Sequence, residues 1–256
     1  MMNQHGISVI IHTYNAEQHL ERVLQSVAGF DELIVCDMES TDATLAIAER
    51  HGCRILTFPR GEHRIAEPAR QFAIDRASCD WILTVDADEL VSPELRDYLY
   101  AHIASEQPAA GLYLARRNYF MGRFLHAAYP DYVLRFFRRE QTTWAPYVHT
   151  LPVVVGEVER IDKRWHELAL EHLANDSVAV ILRKTNDYSD NEQIKRSGKR
   201  YGVAALFLRP LVRFTKSYFI KGGCRDGVPG LIHALLDGVY QLVMVAKNIE
   251  RRQGKA

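Results

Sequence analysis

The sequence predicts an α/β protein: a mostly parallel central sheet with helices on both faces, followed by a C-terminal helical extension. Three observations carry this. Short apolar runs alternate with amphipathic stretches through residues 1–110, the rhythm of successive β/α/β units. The run at residues 81–85 is apolar apart from one threonine, as expected of a central parallel strand covered on both faces. From Asn175 onward the chain looks helical.

Each element follows from its own residues. Residues 7–11, Ile-Ser-Val-Ile-Ile, form the first strand. Residues 17–27 then set Leu20, Val23, Leu24 and Val27 on one helical stripe. A second strand over 33–36 ends at Asp37, and residues 41–50 read as a helix capped by Thr41, with Asp42 favouring its positive end. A third strand over 54–58 and a third helix over 68–77 lead to the fourth strand at 81–85. Ser92-Pro93-Glu94 supplies an N-cap, a proline at the first helical position and an early acid, so a helix starts there. Beyond residue 110 the pattern is mixed, with strands over 111–118, 133–137 and 153–158 between aromatic-rich loops. The predicted division is one domain over 1–175, in halves 1–110 and 111–175, and a basic, amphipathic helical extension over 176–256.

Composition narrows the class. Apolar residues at 47% and charged residues at 25% suit a globular chain rather than a disordered one. Thirty-two basic and thirty-two acidic residues cancel, so net charge predicts no partner. The four cysteines lack metal-type spacing, and three of them sit in apolar or strand-like contexts, which reads as buried free thiols in a reducing cytoplasm. The first apolar run is too short for a signal peptide, and no run approaches the ~20 apolar residues of a spanning helix. Local charge is less even. From Lys195 to Arg225 there are nine basic residues and no acid, interleaved with Tyr201, Phe207, Leu211, Phe214 and Phe219. That mixture suits the surface of an anionic membrane, and it also suits a solvated basic face over an ordinary core. Neither a recognition motif nor an overall basic balance supports nucleic acid.

Open α/β sheets bind ligands where strands end, and three predicted strand ends carry polar residues: Thr13-Tyr14-Asn15, Asp37 with Ser40-Thr41-Asp42, and Asp86-Ala87-Asp88-Glu89. The third is the most informative. Two carboxylates one residue apart, where a buried strand stops, offer oxygen ligands to a hard divalent cation such as Mg2+ or Mn2+, and such a cation bridges phosphates and neutralises a departing diphosphate. Asp37 is placed to accept hydrogen bonds from a base or ribose. Arg70, in the helix before the fourth strand, is placed to pair with a phosphate or with an acid of the same site.

Residues 8–15, 37–42 and 80–89, ending in Thr84-Val85-Asp86-Ala87-Asp88-Glu89, resemble family 2 glycosyltransferases. Residues 117–123, 129–139 and 214–223, with Asp226, Gly227 and Gly230, extend the resemblance to the branch that includes bacterial lipopolysaccharide core glucosyltransferases. The resemblance implies a GT-A-type nucleotide-diphospho-sugar transferase fold, a uridine-diphosphate sugar donor and inversion at the anomeric carbon. It also implies a glycolipid or lipopolysaccharide-core acceptor, and a peripheral position on the cytoplasmic face of the bacterial inner membrane. Site roles follow by position. Thr13, Tyr14, Asn15, Asp37, Arg70 and Asp86 would serve nucleotide and donor, Asp88 and Asp86 the metal, Asp131 the general base, and Glu89 either an acid supporting these groups from behind or an acceptor-side acid. His172 resembles a histidine that approaches metal or diphosphate in related folds. Glu39, Gln71 and His149-Thr150 depart from the branch pattern. Two other classes stand beside this one. A sugar-nucleotidyltransferase would favour a glycine-rich, basic loop after strand one, where this chain has Thr13-Tyr14-Asn15-Ala16-Glu17. A catalytically silent glycan-binding relative would be expected to lack one of Asp86, Asp88 or Asp131, and all three are present.

Overall fold

The computed structural model describes residues 5–61, 66–146, 151–173, 177–195 and 200–254. They form two compact units, Met1–Arg117 with Pro130–Leu173, and Asn118–Tyr129 with Ala174–Ala256.

In chain order the first unit contains β1 (Ile7–Thr13), α1 (Glu17–Ser26), β2 (Glu32–Asp37), α2 (Thr44–Arg50), β3 (Arg54–Thr57), α3 (Glu67–Ile74), β4 (Trp81–Asp86), β5 (Glu89–Leu90), α4 (Pro93–Ile103) and β6 (Gly111–Phe120). The end of β6 and then β7 (Arg123–Phe124) belong to the second unit. The first resumes with β8 (Asp131–Arg138), β9 (Thr142–Thr143), β10 (Val153–Val154), β11 (Val158–Arg160) and β12 (Leu170–His172). The main sheet runs β3-β2-β1-β4-β8-β6-β12-β5. Strands β3, β2, β1 and β4 are mutually parallel, and β8 joins β4 antiparallel.

β1 is central and buried along its whole length, and its alternation divides the core. Val9 and Ile11 pack with Leu20, Val23, Leu24, Leu83 and Leu95 on one face. Ile10 packs with Ile34, Ala69, Ile74, Ile82 and Phe137 on the other, under α3. Each such side chain contributes about 1.5–3 kcal/mol by leaving water. His12 falls on the α3 face by the same period of two, and its register partner across β1 and β4 is Asp86. α4 starts as expected, with Ser92 Oγ accepting from Leu95 N at 3.0 Å. α2 does not: it begins at Thr44, and Thr41 is not its cap. Asp42 Oδ1 accepts from Thr44 N and Thr44 Oγ1 at 3.0 and 2.5 Å, a local turn that delays the helix, while Thr41 N is drawn to Asn15 Oδ1. The strand expected over 153–158 is split by Gly156 at φ +121°.

The second unit consists of the β6–β7 hairpin with α5 (Val178–Lys195), α6 (Ala205–Thr215) and α7 (Gly227–Gln253). α5 and α6 both pack on α7. Gly238 of α7 faces the Pro210 carbonyl of α6, where a Cβ would lie 3.3 Å away. The segment Gly223–Gln253 is long and apolar enough, by length and composition, to cross a membrane. This revises the expectation of no such run, because its interspersed glycines and polar residues conceal it from a search for unbroken apolar sequence.

Candidate active site

The ends of β1 and β2 are stitched together by side chains. Thr13 Oγ1 donates to Asp37 Oδ1 at 2.8 Å, and Ser40 donates to the same carboxylate through N and Oγ at 2.8 and 2.6 Å. Asp37 is buried as a result. Asn15, at φ +49°, accepts from Thr41 N at 2.9 Å, and its own N–H donates to Ser40 Oγ. Tyr14 stays open to solvent, with the Arg60 guanidinium 3.5 Å over its ring.

The end of β4 is a dense ion cluster. Asp86 Oδ1 accepts from Arg70 Nη2 at 3.2 Å, and Asp86 Oδ2 is paired with Arg135 Nη2. Burial alone would push the Asp86 carboxyl up, but Arg135, Arg70 and Arg116 outweigh it and hold the group well below the usual carboxylate range. Burial lowers Arg70, against the pull of Asp86 and with the push of Arg135. Arg70 also lies 4.5 Å from the Trp144 ring centroid, and its Nε and Nη1 lack hydrogen-bond partners among the described residues. Behind the cluster His12 is buried with neither ring nitrogen in a hydrogen bond of good geometry, and burial, helped by Arg70, brings its pKa down to about 3. It is therefore neutral at pH 7.

β5 and β12 bring in residues from far along the chain. They pair antiparallel with His172 opposite Glu89, and Leu173 N donates to Asp88 O at 2.7 Å. This sets His172 Nε2 at 3.3 Å from Asp88 Oδ2. Glu89 is fully buried. It accepts from Asp86 N at 2.9 Å and from Arg116 Nη1 at 3.2 Å. Asp131 opens β8, where Arg116 Nε and Nη2 both donate to Asp131 Oδ2, at 2.9 and 2.5 Å. Among the described residues, no three His, Cys, Asp or Glu side chains gather as a ready-made cation cage.

The structure thus brings Arg70, Asp86, Glu89 and Asp131 into one connected network, with the Asp88–His172 pair set beside it by the β5–β12 ladder, and Thr13, Asn15 and Asp37 into a second at the neighbouring strand ends. His149 lies outside the described residues. Sequence reasoning missed Arg116 and Arg135 as members. The available signal was a charge inside the apolar run Val133-Leu134-Arg135-Phe136-Phe137, since a buried arginine is rare without a carboxylate partner.

Residues 8–153 match the family described as glycosyl transferase family 2. The chain belongs to this family, and its sheet is that of a GT-A-type transferase. Among its relatives is the lipopolysaccharide core biosynthesis glycosyltransferase LpsC of Rhizobium meliloti (strain 1021), 28% identical, with 98% of this chain and 94% of that protein aligned. An uncharacterized glycosyltransferase of Rickettsia conorii is 29% identical over 94% of this chain and 89% of its own length. Among solved structures, S. aureus TarS 1-349 aligns with 93% of this chain and 81% of its own at 16% identity and a TM-score of 0.48.

Proposed function

We propose that the chain transfers a sugar from a nucleotide-diphosphate sugar, a uridine-linked donor, to a hydroxyl of a glycolipid or lipopolysaccharide-core acceptor. Transfer inverts the anomeric carbon and is assisted by a divalent cation. One observation supports this reading above the others. Glu89 ties Asp86 to the Arg116–Asp131 pair, and the β5–β12 ladder sets the Asp88–His172 pair beside them, in a member of a glycosyltransferase family. The proposed catalytic domain is 1–175, with 176–256 as the extension.

Thr13, Tyr14, Asn15 and Asp37 take the nucleotide in this reading, and Arg70 and Asp86 take the donor. The Asp88 carboxylate suits Mg2+ or Mn2+, and the His172 imidazole, 3.3 Å from it and also partly open to solvent, would suit Mn2+ better than the oxygen-preferring Mg2+, with phosphate and water filling the other positions. Asp86 adds its charge beside them, balanced by Arg70 and Arg135. When bound, such a cation neutralises charge gathering on the departing diphosphate. Arg116 orients Asp131, whose carboxylate accepts the acceptor hydroxyl proton as that oxygen attacks the anomeric carbon. Glu89, fully buried and held by Arg116 and Arg135, supports the acceptor-side groups from behind by fixing Arg116, which in turn holds Asp131. The proposed location is the cytoplasmic face of the inner membrane, where α6 presents exposed Phe207, Leu211 and Val212 beside Lys216.

A panel of uridine-diphosphate sugars, assayed with Mn2+, with Mg2+ and with chelator, tests the reading. Transfer should depend on the cation, and Asp88→Asn should lower turnover about a hundredfold or more. Asp131→Ala should lose transfer yet bind nucleotide normally by calorimetry. Wild-type turnover by Asp88→Asn would remove the central assignment.

A further inference from the structure

The second unit holds a polar cluster outside the chemistry above. His126 lies in the turn after β7. Its ring Nδ1 pairs with Asp226 Oδ1, and its backbone N–H donates to Asp226 Oδ2 at 2.9 Å. Asp226 is buried, so one residue occupies both of its oxygens. With Nδ1 held in this way, Nε2 is the nitrogen that His126 keeps for an incoming group.

Three cations surround this pair. Gly222, at φ +82°, fills the gap between two of the residues involved: a Cβ there would lie 3.4 Å from Arg225 Cδ and 3.7 Å from His126 Cβ. Gly227, at φ +65°, stands beside Arg123, whose Nη1 would be 3.7 Å from such a Cβ. Lys221 Nζ reaches Ala127 O at 3.4 Å. Arg123, Lys221 and Arg225 are exposed, and none has a carboxylate partner among the described residues. Asp226, the acid beside them, is already taken by His126. Three exposed positive charges set around one buried, already occupied acid leave that surface with unbalanced charge, and an anion among them offsets it. Two guanidinium forks, an ammonium and an imidazole nitrogen offer more donors than a single carboxylate accepts, which favours a tetrahedral oxyanion.

We propose that Arg123, Lys221 and Arg225, gathered around the Asp226-held His126, form a binding site for a phosphate ester. The ester belongs either to a phosphorylated sugar or to a lipid headgroup. The site stands on second-unit residues alone and does not depend on the donor chemistry proposed above.

Imidazole NMR of the full chain tests it, with the His126 Cε1–H signal followed during titration with inorganic phosphate. The expected result is a saturable shift, weakened about tenfold or more in Arg123→Gln/Arg225→Gln. Melting curves check that the variant is folded; if the double variant is not, each single variant gives the same comparison. Competition then identifies the source. Displacement of phosphate by glucose 6-phosphate points to a phosphorylated sugar, and displacement by phosphatidylglycerol vesicles but not phosphatidylcholine vesicles points to a headgroup. Either supports the site. No saturable shift, equal affinity in the variants, or phosphate binding that neither ester displaces would overturn it.

Discussion

At the scale of single residues, the chemistry at the end of β4 is set by which charges are allowed to be buried. Three acids within four residues were legible as a site because they stand where an apolar strand stops. Their counter-ions were not. Arg135 and Arg116 lie 49 and 27 residues from the carboxylates they hold, and no local pattern reports a pairing over such distances. His12 was equally silent, because a histidine in an apolar strand gives no sign of whether its nitrogens find partners. Its burial yields a stability prediction with a definite sign. The folded pKa, about 3, lies below the ordinary value of 6.5. Its contribution is therefore complete above pH 6.5 and is lost as pH falls from there through the folded value, where the unfolded chain binds a proton that the native state refuses. Between pH 7.5 and 5.0 this amounts to about 2 kcal/mol. Urea unfolding at both pH values should show that loss in the wild type, and His12→Gln should shrink the difference by a similar amount. An unchanged difference in His12→Gln would mean that His12 is not buried neutral.

At the scale of elements, the strongly periodic pieces were readable and the short ones were not. α1 keeps its stripe of Leu20, Val23 and Leu24, and α4 keeps the cap at Ser92, since both signals are local. β5 and β12 have only two and three residues. Their pairing, which carries His172 to Asp88, rests on long-range register that has no sequence period. The start of α7 is another case in which packing outweighs propensity. Gly230 lies within the helix, where alanine would ordinarily gain about 1 kcal/mol. A Cβ at Gly230, however, would fall 2.0 Å from the Gly223 carbonyl oxygen and 2.7 Å from Asp226 Cβ. That oxygen is backbone, so the turn itself must shift. Gly230→Ala should therefore destabilise by about 1–3 kcal/mol, lowering Tm by about 2–4 °C per kcal/mol lost. A rise in Tm would mean that helix propensity, not the close approach, governs the position.

At the scale of the whole molecule, zero net charge supplies no overall attraction to an anionic surface, so the uneven local distribution has to supply it. At physiological salt the screening length is about 8 Å, so any attraction must come from local charge already close to its target. The structure narrows which charges of the basic stretch remain for this. Arg209 donates to Gln241 and Arg213 pairs with Asp237, both on α7, so these two are partly spent inside the second unit. Lys216, Lys221 and Arg225 are exposed. Beside them the exposed face of α6 includes Phe207 at 74% and Leu211 at 61% exposure, lining an apolar groove of about 490 Å³ against α7. Apolar side chains so exposed gain about 1.5–3 kcal/mol each when they leave water, more than one screened surface charge supplies, so the apolar contact should dominate and the charge should select the lipid. Co-sedimentation with phosphatidylglycerol vesicles should therefore fall tenfold or more in Phe207→Ser/Leu211→Ser, by the same transfer energies. In the wild type it should fall more modestly on changing to phosphatidylcholine or on raising salt to about 1 M, where screening shortens to about 3 Å. Binding that ignores both lipid charge and salt would remove the electrostatic part. Binding unchanged in the double variant would remove α6 as the contact.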